Sequence, residues 1–216
     1  MLKLGEALVG SERPMVMDGA MGTQLAFMGL EMGGVNNITC PAAVLDIHRR
    51  YAESGADILI TNSLTMNRVY IETHHLGLDV REVNLAGVRL ARAAAGGGRY
   101  VLGDIGATGQ MLEPYGELTE EAAFAAYAEQ ADILAEGGAD GFIIETMFDL
   151  REALCALRAC RSTAPGVPVM VSLSFNTGAQ GARTMMGNSV EECALALEAQ
   201  GADVIGANCG SMSVVQ

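Results

Sequence analysis

The chain has 216 residues, half of them hydrophobic, and a formal net charge of −13. Length and apolar share suit one folded domain with a sizeable core rather than a disordered segment. The negative charge argues against a nucleic-acid partner, and no stretch approaches the ~18 uninterrupted apolar residues of a membrane-spanning helix.

In chain order, Met1-Leu2-Lys3-Leu4-Gly5-Glu6 lacks the basic and apolar regions of a secretory leader, so a cytoplasmic location is expected. Met15-Val16-Met17 is the first run with strand character. It leads into Asp18-Gly19-Ala20-Met21-Gly22-Thr23, where a carboxylate stands beside glycines that let a ligand approach the backbone. Thr39 with Pro41 predicts a capped helix running to Ser54, on which His48 is read as positive charge favoured toward a helix C-terminus.

A Gly-Ala-Asp signature then recurs at Gly55-Ala56-Asp57, Gly138-Ala139-Asp140 and Gly201-Ala202-Asp203. Each instance follows a helical stretch and precedes a short apolar run. The glycine ends the helix, and the continuous run fits a strand buried on both faces. Tyr100-Val101-Leu102 and Val167 to Leu173 have the same character, making six expected strands. Between them, Asp79-x-x-Glu82, Asp149-x-x-Glu152 and Ser189-x-x-Glu192 read as capping boxes, and Thr119 starts another helix. Two long Gly-rich connections, 103–117 and 176–188, are expected as loops.

Strand and helix alternating in this way imply right-handed crossovers and a parallel sheet. An open doubly wound sheet competes with a (β/α)8 TIM-type barrel. Polar residues stand at nearly every strand end: Asp18, Asn62, Asp104, Glu145, Ser174 and Asn208. Their spread favours the barrel, truncated after about six βα units, because an open sheet gathers its ligand groups at one crevice.

The five cysteines form no CxxC and no framework spacing, so disulfides are not expected. Cys155, Cys160 and Cys193 lie in Ala/Leu-rich helical segments and read as small buried hydrophobes, with Cys40 structural as well. Cys209 differs: it sits just past a strand, in Gly206-Ala207-Asn208-Cys209-Gly210, where a thiolate suits zinc or nucleophilic work. Glu145 closes the run Ile143-Ile144-Glu145 and must stand at a strand end or be buried with a partner. With Asp18 it makes either a clamp for an ammonium group or an acid–base pair. His74 and His75 fit the positive charge favoured at a helix C-terminus. The glycines at 178, 181 and 187 lack the rest of a phosphate loop.

The motifs Asp18-Gly-Ala-Met-Gly-Thr, Gly103-Asp-Ile-Gly-Ala-Thr-Gly, Leu112-Glu-Pro-Tyr-Gly, Ile143-Ile-Glu-Thr-Met-Phe-Asp, Val169-Met-Val-Ser and Gly206-Ala-Asn-Cys-Gly occur in one order through essentially the whole chain. In that order the chain resembles the homocysteine S-methyltransferase family, in particular the homocysteine-binding modules of cobalamin-dependent methionine synthases.

The resemblance implies a (β/α)8 barrel spanning 1–216, with its C-terminal βα units absent from this sequence. It implies substrate contacts from Asp18, Gly19, Asn62, Glu145, Ser174 and Asn208, with the two carboxylates on the amino group of homocysteine. Cys209 becomes a first zinc ligand, the zinc holding the substrate sulfur as a thiolate. The methyl group would come from methylcobalamin on a partner domain or protein. The other two zinc ligands of the family are adjacent cysteines later than residue 216, so an incomplete zinc site and association through open barrel edges are expected. Thr61-Asn62-Ser63-Leu64 matches the corresponding family segment loosely and leaves room for a related thiol. Two other readings stand beside this one. They are a non-catalytic barrel subunit that binds a corrinoid protein, and a metal-free acid–base enzyme using Glu145 and Asp104.

Overall fold

The structure is a computed structural model that describes residues 2–178 and 181–211. Its centre is a parallel sheet in the order β1-β2-β3-β4-β7. The strands are β1 (Ile58–Ile60), β2 (Tyr100–Ile105), β3 (Gly141–Met147), β4 (Val169–Leu173) and β7 (Val204–Ala207). The first expected strand is reduced to one parallel bridge, Met17 to Ile58, beside β1. The correction has a simple cause: Asp18 follows at once and its amide already bonds the Ile58 carbonyl, after which the chain turns away. Part of the segment 176–188, expected as loop, forms an antiparallel hairpin of β5 (Asn176–Gly178) and β6 (Gly181–Arg183). Ala179 and Gln180 of that segment lie outside the described residues.

The crossovers are helical. After the short α1 (Leu4–Gly10), α2 (Met21–Phe27) and α3 (Asn36–Thr39), α4 (Pro41–Glu53) leads into β1. α5 (Arg68–Thr73) and α6 (Val80–Ala95) connect β1 to β2, and α7 (Glu120–Glu136) connects β2 to β3. α8 (Leu150–Thr163) and α9 (Val190–Ala199) precede β4 and β7. Small residues on facing sides of α7 and α8, among them Ala123, Ala131, Ala153, Ala156 and Cys160, are buried and let the two helices pack closely over β2, β3 and β4. Phe142, Ile144, Leu134 and Leu157 fill the same core without exposure, each worth about 1.5–3 kcal/mol by burial.

The expected caps are partly realised. Asp79, Thr119 and Ser189 accept N–H bonds from Glu82, Ala122 and Glu192, and Ser189 with Glu192 closes a full capping box. Asp149 caps α8 through the amide of Arg151, but Glu152 does not return the bond. Its carboxylate turns inward to Thr108 and Tyr127, because a buried acceptor there meets three donors. Pro41 does open α4, but Thr39 does not cap it; its hydroxyl bonds back to Val35.

The Gly-Ala-Asp repeat has a structural explanation. Asp57, Asp140 and Asp203 each accept the backbone N–H of the neighbouring strand, from Val16, Val101 and Val169. Each also pairs with an arginine: Arg13, Arg92 and Arg161. These aspartates pin the amino ends of neighbouring strands in register. At the opposite rim strands β1, β2, β3, β4 and β7 all finish.

Candidate active site

Asp18, Asn62, Asp104, Glu145, Ser174 and Asn208 all stand at or just past carboxyl ends of the sheet strands. Glu145 and Thr146 occupy an irregularity in β3. Ile144 pairs with Val171 and Met147 with Leu173, so three steps along β3 oppose two along β4. Such a bulge leaves one backbone group without its ladder partner and re-aims side chains. Thr146 takes a φ of 59°, a costly conformation for a β-branched residue.

Asn208 supplies what the bulge removes. Its Oδ1 accepts the Thr146 N–H at 3.0 Å and the Ser172 hydroxyl at 2.8 Å. Its amide nitrogen donates to the Glu145 carboxylate and to Thr146 Oγ1, and lies 3.4 Å from Cys209 Sγ. Cys209 is itself in the left-handed region, at φ 52°, and is the only exposed cysteine among the described residues. The next residue must be glycine: a Cβ at Gly210 would stand 2.1 Å from the Phe175 carbonyl oxygen. Ser174 donates its hydroxyl to the Asn208 carbonyl and braces the same turn.

Asp18 is held from the other side. Its Oδ2 accepts the Ile60 N–H at 3.0 Å and faces His48 Nδ1 at 3.8 Å. Gly19 leaves room for Tyr51, whose hydroxyl would lie 2.8 Å from an added Cβ. Asp18 Oδ1, both ring nitrogens of His48 and Asp104 Oδ1 are buried without a hydrogen-bond partner among the described residues. Buried polar atoms are rarely left so.

Three carboxylates crowd this space. Burial is the largest force raising the Asp18 carboxyl above its usual range, opposed by His48 and the Ile60 amide. Burial raises Asp104 furthest, with the Glu145 and Asp18 charges adding to it. Glu145 is also raised, first by burial and then by Asp18, while hydrogen bonds from Asp104 and Thr146 oppose the shift. Of the three, Asp104 is pushed hardest toward its protonated form, since neighbouring buried carboxylates cannot all ionise. A cation entering here would relieve the repulsion.

Sequence reasoning brought Asp18, Gly19, Glu145, Asn208 and Cys209 to one rim, and the structure places them there. Asn62 is otherwise engaged, since both its amide hydrogens are spent on the Gly33 carbonyl and Asn37 Oδ1. His48, expected to complement a helix end, is instead fully buried against Asp18. Its spacing with Val44 and Ile47 on the buried face of α4 was the available signal. Thr146 and Ser172 stood inside the Ile143-Ile-Glu-Thr and Val169-Met-Val-Ser motifs, but their roles were hidden because the bulge arises only when β3 meets β4.

A family model for homocysteine S-methyltransferase matches residues 15–216. The chain belongs to the homocysteine S-methyltransferase family. It is 33% identical over 222 aligned residues to methionine synthase from Mycobacterium leprae, an alignment spanning 93% of this chain and 18% of that protein. The Mycobacterium tuberculosis methionine synthase matches to the same extent. The chain thus spans less than a fifth of the length of these relatives. Among solved structures, the metallated homocysteine methyltransferase MmuM from Escherichia coli superposes with a TM-score of 0.77 at 21% identity, covering 95% of this chain and 78% of that one. Its apo form gives 0.72 at 22% identity, with 96% and 76% covered. These likenesses show the barrel-type fold of the family.

Zinc needs three or four protein ligands. Among the described residues no three His, Cys, Asp or Glu side chains are grouped to hold a metal ion. Cys209 by itself is therefore not a zinc site.

Proposed function

We propose that this chain binds homocysteine, or a related aminothiol, at the rim formed by Asp18, Glu145 and Cys209 and receives a methyl group on its sulfur. The observation that carries this reading is the convergence of those three side chains in a member of this family. The substrate ammonium would lie between Asp18 and Glu145, where it satisfies the orphaned Asp18 oxygen and offsets the crowded carboxylates. Asp104, protonated, would hold Glu145 from behind, and Asn208 would fix both Glu145 and the Cys209 turn. The substrate sulfur would then point toward Cys209, where as a thiolate it would accept the methyl group.

In this reading Cys209 is one ligand of a zinc site whose other ligands come from outside the described residues. Zinc would supply the positive charge that keeps a thiol ionised at neutral pH. A methylated corrinoid on another domain or protein is the expected donor, with 1–216 acting as the homocysteine-binding unit in the cytoplasm. The test is methionine formation from homocysteine and methylcobalamin by the protein supplied with zinc, compared with Cys209→Ser. Activity unchanged in Cys209→Ser and resistant to chelators would overturn the zinc role. It would favour the metal-free reading, for which the neighbouring Asp104 and Glu145 carboxyls, both raised by burial, are the supporting observation.

A further inference from the structure

A second concavity of about 250 Å3 opens beyond this site, between the connection after β2 and the start of α8. Its walls are apolar and soft: Met111, Leu112, Phe148, Met185 and Met186. Met111, Phe148 and Met185 are unusually exposed for large apolar side chains, at 45%, 38% and 62%. The ionisable groups that line it are both acids, Asp149 and Glu152, with no lysine or arginine among the lining residues.

Glu152 is the informative member. It is 5% exposed, yet it caps nothing. Its Oε1 takes all of its hydrogen bonds: from the Thr108 amide at 2.8 Å, the Thr108 hydroxyl at 2.7 Å and the Tyr127 hydroxyl at 2.7 Å. Oε2 has no hydrogen-bond partner among the described residues, and Glu152 is one of the residues that line the cavity. A rigidly held, nine-tenths buried carboxylate therefore presents one free acceptor to an apolar chamber. Buried acceptors are satisfied in folded proteins, and those left open in a cavity mark where a ligand donates.

We propose that this cavity binds a small organic amine: a protonated primary or secondary ammonium that donates to Glu152 Oε2, on an apolar body packed against the methionines and Phe148. An anion is disfavoured because both ionisable lining groups are acidic and the chain carries a net charge of −13. A neutral donor would gain a hydrogen bond to the carboxylate but not the attraction between two opposite charges. Phe148 adds a ring face that favours a cation, and methionine side chains adapt to varied apolar shapes. The volume limits the occupant to about a dozen heavy atoms, just below the usual ~300 Å3 of ligand pockets.

Phenethylamine is a suitable probe, with 2-phenylethanol as its neutral counterpart, titrated into the 15N-labelled full chain. Phenethylamine should shift amides of Ala107–Leu112 and Phe148–Glu152, and the alcohol should bind about 10-fold more weakly, the worth of one charge-assisted bond. Glu152→Gln should weaken the amine about 10-fold and the alcohol distinctly less. Should that variant unfold, Met185→Lys provides the second readout, because residue 185 is largely exposed and its new ammonium would compete for Glu152. Amine binding should then be lost. Equal affinity for amine and alcohol, undiminished amine binding by Met185→Lys, or shifts centred on Asp18 and Glu145 would each overturn the proposal. Homocysteine titrated at saturating phenethylamine should bind as before, so this site stands or falls apart from the methyl-transfer reading.

Discussion

Asn208 donates to the Glu145 carboxylate while its own oxygen takes the Thr146 amide that the β3 bulge leaves unpaired. One side chain thus joins β7 to β3, holds two left-handed residues in place and aims a carboxylate into the site. Asn208→Ala removes all of these bonds. Stability should fall by about 1–3 kcal/mol, the cost of leaving buried polar groups unpaired. Asn208→Asp should fare no better, because it sets a second carboxylate against Glu145. Chemical denaturation reads the stability, and a wild-type midpoint in Asn208→Ala would show that the hub is dispensable.

The Asp18–Glu145 clamp predicts a selective loss. Glu145→Gln removes one charge-assisted bond to an ammonium, worth about 1.5–3 kcal/mol, so homocysteine affinity should drop about 10- to 100-fold. A thiol of similar size without the amino group should lose almost nothing. Calorimetry showing equal losses for both ligands would rule the clamp out.

Asp104 carries a pH signature. Its folded carboxyl is raised above its unfolded value by burial and the Glu145 charge, so the folded state holds a proton that the unfolded state releases. That stability is present below the unfolded pKa and is lost as pH rises toward the folded one. Asp104→Asn should flatten this decline by up to about 1.4 kcal/mol per pH unit, the worth of one proton. Its melting temperature at pH 8 should exceed the wild-type value by about 2–4 °C for each kcal/mol gained.

Asp57 has the opposite sign. The Arg13 guanidinium and the Val16 amide hold its carboxyl at about 2. Its contribution is present at neutral pH and is lost as pH falls from the ordinary carboxylate range toward 2. Arg13 is largely exposed, so Asp57→Asn should cost no more than about 1 kcal/mol at pH 7 and clearly less at pH 2. A cost independent of pH would show that the lost backbone bond, rather than the charge, matters.

β7 is a parallel edge strand whose four residues are all exposed, with Val204 at 37% and Ile205 at 39%. An apolar edge with free backbone groups invites pairing with another strand. The 216-residue chain alone should self-associate as its concentration rises, and Ile205→Lys should suppress this in sedimentation experiments. The same preparation should carry far less than one zinc per chain, since no grouping among the described residues can hold it. A monomer with stoichiometric zinc would contradict both expectations.

The sequence by itself determined the alternation of helix and strand, the parallel sheet, the polar rim and the cluster of Asp18, Glu145 and Cys209. These features are local: helix ends, apolar runs and the residue just past each run are written in consecutive positions. The sequence also carried the Gly-Ala-Asp repeat, though its purpose, pinning neighbouring strand starts, needed the pairing of distant segments. Tertiary structure alone decided that Met15–Met17 stops at one bridge and that β3 bulges at Thr146. It also decided that Asn62 ties down a loop, that His48 turns against Asp18, and that Glu152 leaves its helix cap to open an acceptor into a cavity. In each of these cases two segments far apart in the chain compete for one hydrogen-bonding group. Which of them wins is settled only when the sheet and its helices are packed together.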